Sequence, residues 1–176
     1  MMNNVYFIGM MGAGKTVFAS MVAKKLKRPF VDVDAYIEQT QGVSIPQIFA
    51  QEGQEAFREI EHQAIASLAQ ENGWVISLGG GAVLRQDNVE IIRSTGVVLY
   101  LERPVDHIMG DVDIAHRPNL RSKEDVERVY ESRRGIYEQA CHIKIVNDGS
   151  FAQTRHQILK ALEEWGSQKG VKLQIE

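Results

Sequence analysis

The sequence predicts an α/β domain built in three layers, a five-stranded parallel sheet flanked by helices. Short β-rich apolar runs alternate with segments of helical period, the pattern of successive βαβ units. The 176 residues, 44% hydrophobic, are enough for one core and too few for two. The first apolar run also ends in a glycine-rich turn that opens a helix, at the strand end where open α/β sheets place their ligands.

The first strand is expected over 5–8, from Val5 to Ile8. A helix follows over 15–27, with Phe18, Val22 and Leu26 repeating every fourth residue. The second strand is expected over 30–32, followed by three helices over 34–40, 44–51 and 54–70. The last of these carries the stripe Phe57, Ile60, Ala64 and Leu68. Strands over 74–78, 97–101 and 142–146 complete the sheet, with helices over 87–94 and 124–140 ahead of the last two. Ser150 caps a final helix ending near Trp165, and 166–176 reads as a loosely held tail after a single domain spanning 1–165. Residues 110–122 have no periodicity and are polar. Such a stretch inside a compact domain reads as a mobile functional loop.

Bulk properties exclude several classes. A net charge of −3 argues against a nucleic-acid footprint or a polybasic membrane face. One cysteine, Cys141, rules out an internal disulfide and fits a reducing, cytoplasmic setting. No signal peptide and no apolar run of membrane-spanning length are visible.

Residues 9–16, Gly-Met-Met-Gly-Ala-Gly-Lys-Thr, match G-x-x-x-x-G-K-[ST] between a predicted strand and a predicted helix. Glycines let backbone N–H groups turn around phosphate oxygens, and the helix N-terminus adds partial positive charge. Gly12, Ala13, Gly14, Lys15, Thr16 and Val17 are therefore the candidate ATP-binding residues. Lys15 is expected to reach the β/γ oxygens and Thr16 to ligate Mg²⁺.

Asp32 and Asp34 follow at the end of the second strand, where alternation would send both carboxylates to one side. Asp32 is assigned to the metal, through water, and Asp34 to the hydroxyl that accepts the phosphoryl group. Capping of the next helix is the plainer role for Asp34. Arg133 falls within the stripe Val126, Tyr130, Tyr137 and Ala140, where an inward cation calls for an anion. A structural salt bridge would serve equally. Arg58 lies beside Phe57, with Glu59 and Glu61 offering a surface pairing. Gly79, Gly80 and Gly81 end the third strand, a run that suggests close approach of backbone to a ligand. Arg117-Pro118 puts a cation in the aperiodic loop, suited to close over ATP.

Taken in order, these motifs resemble the shikimate kinase family across nearly the whole chain, from residue 5 to about 158. The resemblance implies the three-layer P-loop fold of the nucleoside monophosphate kinase type, with a lid over about 110–122 and substrate-binding helices over about 34–71. It implies ATP and shikimate as substrates, giving ADP and shikimate 3-phosphate. Asp34, Arg58, Arg133 and the backbone of Gly79, Gly80 and Gly81 would then hold shikimate, with Lys15, Asp34 and Arg117 catalytic. A monomer with no nucleic-acid or membrane partner is expected. The chain departs from the family pattern in having no second arginine over 107–116, Asn119 after the lid proline, Val17 after the P-loop and Gly135 in place of a common proline. The alternatives are another small-molecule kinase, such as a gluconate kinase, or a kinase-like module without turnover.

Overall fold

A computed structural model describes residues 4–111 and 122–171. Five strands, β1 (Asn4–Ile8), β2 (Phe30–Asp32), β3 (Val75–Ser77), β4 (Gly96–Glu102) and β5 (Ile143–Val146), form one sheet in the order β2-β3-β1-β4-β5. Every neighbouring pair is parallel. β1 is fully buried at the centre, as its unbroken apolar run requires of a strand covered on both faces.

Alternation along the strands divides the core in two. Tyr6, Ile8, Ile76, Val98 and Tyr100 face one way, against α2 (Val33–Gln41), α3 (Ile45–Leu68), α4 (Gln86–Thr95) and α6 (Lys123–Ala140). Val5, Phe7, Val75, Val97, Leu99 and Leu101 face the other way, against α1 (Lys15–Leu26) and α7 (Phe151–Lys169). The stripe Phe18, Val22 and Leu26 is the buried face of α1, as its fourfold spacing predicts.

Three boundaries differ from the sequence reading. The helices expected over 44–51 and 54–70 form the one span α3, bent at Gly53, whose φ of 86° is open to glycine and strained for other residues. A short helix, α5 (Val105–Asp111), runs into the first two residues of the expected lid. The last helix runs past Trp165 to Lys169, because Gly166 is buried within it and Gly170 supplies the left-handed cap one turn later. Among the described residues no helix is long and apolar enough to cross a membrane.

After β1 the chain moves outward to β2 and later returns to β4 on the other side. The crevice at this switch point lies at the carboxyl end of β1. The glycine-rich loop occupies that end.

Candidate active site

The loop at 9–14 turns through three glycines of positive φ, Gly9 (144°), Gly12 (72°) and Gly14 (94°). Gly9 is further restricted by packing, since a Cβ there would lie 2.4 Å from the Leu101 carbonyl oxygen. Strand β4 thus touches the loop's first residue. Lys15 is buried and its ammonium donates to the Met10 carbonyl at 2.8 Å, so the cation folds back over the loop it closes. Val17, by contrast, is 60% exposed on the outer side of α1.

Thr16 donates to Asp32 Oδ2 at 2.6 Å and lies 3.4 Å from the Ser77 hydroxyl. The other Asp32 oxygen accepts from the Asp34 and Ala35 N–H groups, so Asp32 is the N-cap of α2. Both expectations about this pair need correction. Strand β2 stops at Asp32 and Asp34 lies in the first turn of α2, so strand alternation does not relate them. The helix cap is Asp32 rather than Asp34. A hydroxyl and one carboxylate at a phosphate-binding loop fit a hard cation that keeps most of its ligands as water and phosphate. Among the described residues no cluster of three His, Cys, Asp or Glu side chains forms a separate metal cage.

The acceptor side is organised by Gly79, Gly80 and Gly81. A Cβ on Gly79 would come within 2.8 Å of Asp34 Oδ1 and 3.0 Å of Glu61 Oε1. One on Gly81 would come within 2.2 Å of an Arg58 nitrogen. Gly80 approaches the loop backbone, where a Cβ would lie 3.4 Å from the Met11 nitrogen. The missing side chains leave room for polar groups from α2 and α3 and bring the acceptor residues against the phosphate loop. Arg133 and Tyr137, one turn apart on α6, both donate to the Gly80 carbonyl, Arg133 at 3.4 Å. Arg133 is half-buried and Tyr137 fully buried, as their place in the apolar stripe predicts.

Arg58 pairs with Glu61 at 2.5 Å, and its guanidinium also lies over the Phe57 ring. Glu61 is only 1% exposed, so this pairing is not the surface contact that the sequence suggests. Glu59 instead reaches Arg85, at 2.7 Å. Burial pushes the Glu61 carboxyl above its usual range, and the Asp34 charge adds to this, while Arg58 and Arg133 oppose it. Two carboxylates and two guanidinium groups thus converge beside a backbone stripped of Cβ atoms. That set can meet a ligand carrying both a carboxylate and hydroxyls. The sequence pairs Glu61 with Arg58, and its place four residues after Phe57 on the buried stripe of α3 was the available hint to its burial; the i, i+4 spacing of Arg133 and Tyr137 was the hint to Tyr137.

Asn147, just after β5, turns its side chain toward the phosphate loop. Its Nδ2 donates to the Ala13 carbonyl at 3.0 Å. Arg103 Nη1 donates to the neighbouring Gly12 carbonyl at 2.9 Å. Arg117 and Pro118, with the 112–121 part of the expected lid, lie outside the described residues.

A phosphate loop at the switch point, facing an acceptor pocket of fixed charges, defines a P-loop kinase of small molecules. The sequence model of the family described as shikimate kinase matches residues 11–163. A shikimate kinase of Clostridium botulinum (strain Alaska E43) is 37% identical over 163 residues, covering 92% of this chain and 98% of its own. The solved shikimate kinase of Acinetobacter baumannii in complex with shikimate superposes with a TM-score of 0.87 at 31% identity, covering 96% of both chains. The chain belongs to the shikimate kinase family. A gluconokinase of Sinorhizobium meliloti, with a TM-score of 0.61 at 12% identity over 94% of each chain, shares the fold alone.

Proposed function

We infer that this chain is a shikimate kinase, which moves the ATP γ-phosphoryl group to the 3-hydroxyl of shikimate. The products are ADP and shikimate 3-phosphate, on the route to aromatic amino acids. The observation that carries this reading is the gathering of Asp34, Arg58, Glu61 and Arg133 around Gly79–Gly81, directly against the phosphate loop. Arg58 and Arg133 hold the shikimate carboxylate, and the Gly79, Gly80 and Gly81 backbone lines the ring.

Transfer is in line. The acceptor oxygen forms a bond to the γ-phosphorus, the bond from that phosphorus to the β–γ bridging oxygen breaks, and ADP leaves with the electron pair. Asp34 orients the 3-hydroxyl and takes its proton. Lys15 and the N–H groups of Gly12, Gly14, Thr16 and Val17 hold the phosphates, and Arg117 adds charge from the lid. Mg²⁺, held by Thr16 and through water by Asp32, supplies charge to the phosphate oxygens when bound. The same reading makes the protein a cytoplasmic monomer with one kinase domain, which extends to the end of α7 at Lys169.

The test is ADP release measured with shikimate, quinate, gluconate and nucleoside monophosphates as acceptors. Turnover confined to shikimate is expected, and Asp34→Asn should lower it by about 10²–10⁴-fold, the usual range for a general base, with ATP affinity kept. Full turnover in that variant would remove Asp34 from the chemistry. No turnover with any acceptor would favour a binding module.

A further inference from the structure

We propose that Asn147, oriented by Thr154, is a positioning residue that presents the Gly14 N–H to the bound nucleotide's phosphates by holding the Ala13 carbonyl from outside the loop. The proposal rests on the reading of residues 9–16 as a phosphate cradle. In a planar trans peptide the C=O and the following N–H point in opposite directions. Whatever holds a loop carbonyl on the outside therefore aims the next amide inward.

The preceding peptide displays this relation. The Gly12 carbonyl accepts from Arg103 at 2.9 Å, and on the opposite side the Ala13 N–H donates to the Met10 carbonyl at 3.2 Å, closing the turn. In the next peptide the Ala13 carbonyl accepts from Asn147 Nδ2 at 3.0 Å, which turns the Gly14 N–H toward the cradle. Gly14 adopts a φ of 94°, a conformation with little intrinsic preference to hold it, so an external tie is needed to fix the amide.

The tie is itself built. Thr154 is 1% exposed in the first turn of α7, and its hydroxyl donates to Asn147 Oδ1 at 2.9 Å. That bond orients the carboxamide so that its NH₂ faces Ala13. The Asn147 N–H donates to the Glu102 carbonyl at 2.7 Å, anchoring the residue to the end of β4. Asn147 thus draws on β4 and α7 to fix a loop that follows β1. A base-contacting asparagine would direct its amide to the ligand, whereas here both polar atoms of the side chain engage protein.

The experiment compares ATP with inorganic tripolyphosphate, which carries the phosphates and no base, as a competitive inhibitor against ATP. Asn147→Leu should raise the ATP KM and the tripolyphosphate Ki by the same factor, about tenfold, which corresponds to ~1.4 kcal/mol. The shikimate KM should stay within about twofold. Thr154→Val, nearly isosteric, should reproduce part of both shifts, and Thr154→Ser should restore wild-type values. If Asn147→Leu does not fold, the Thr154 pair alone decides the matter. A loss for ATP without a loss for tripolyphosphate would mean a base contact and overturn the proposal. So would unchanged constants in Thr154→Val. Failure of the wild-type protein to bind tripolyphosphate would instead overturn the cradle itself, and the positioning role with it.

Discussion

Gly81→Ala isolates the acceptor pocket from the backbone that builds it. Gly81 has φ −101° and ψ −1°, which alanine adopts without strain, so only the added methyl matters. That methyl would lie 2.2 Å from one Arg58 terminal nitrogen, 2.6 Å from its Cζ and 2.7 Å from the other nitrogen. The guanidinium must retreat by about 1 Å or more to reach ordinary van der Waals distance. Its 2.5 Å bond to Glu61 cannot survive that movement intact. A hydrogen bond between charged groups contributes about 1.5–3 kcal/mol, so an Arg58 displaced from the substrate carboxylate should raise the shikimate KM by about 10–150-fold.

Glu61, left buried without its partner, should lower stability by about 1–3 kcal/mol, or roughly 2–12 °C in Tm for a chain of this size. The assays are initial rates by coupled ADP release at varied shikimate and at varied ATP, together with a thermal melt. The ATP KM should move by no more than about twofold. An unchanged shikimate KM would refute the placement of Arg58 in the acceptor site, and a change confined to ATP would assign the glycine run to the wrong substrate.

Arg133→Ala should raise the shikimate KM by a similar factor while leaving the ATP KM unchanged, measured in the same assay; a weakened ATP KM instead would move this arginine to the nucleotide side. Gly135 in α6 is exposed, and a Cβ there would meet nothing within 4 Å. Gly135→Ala should therefore stabilise the protein by about 0.5–1 kcal/mol, seen as a higher Tm with unaltered kinetics. His142 Nδ1 accepts the Val98 N–H at 3.0 Å, which only a neutral ring can do. Partial burial, with Arg93 and Lys169 adding like charge, holds its imidazole below the ordinary histidine value. A depressed histidine pKa contributes stability that is complete above the unfolded value, about 6.5, and lost as pH falls toward the folded one. Melts between pH 7.5 and 5.5 should show this loss, and His142→Ala should flatten the profile.

The sheet and the phosphate loop were legible because their signals are local. Four-residue spacing in α1 and the glycine pattern after β1 each fit within one window of sequence. Arg133 was legible for the same reason, as a cation inside an apolar stripe. Which of Asp32 and Asp34 caps α2 was not, because it depends on where β2 ends. The burial of Glu61 had one local signal, its place four residues after Phe57 in the buried stripe of α3. Arg58 pairs with it, and Gly79, which follows β3, comes close to it. The tie from Asn147 was hidden as well, because its partner Ala13 is 134 residues away.

The order in which the chain fills the sheet has a consequence for its biosynthesis. β1 lies at the centre and pairs with β3 and β4, neither of which is close to it in sequence. At about 5–20 residues per second, the roughly ninety residues between β1 and the end of β4 take on the order of 5–20 s to translate. Until β3 emerges this central strand has neither edge paired, and its second edge stays open until β4 follows. The nascent chain is therefore most vulnerable to self-association before β4 emerges, and a ribosome-associated holdase would be needed most on its first hundred residues.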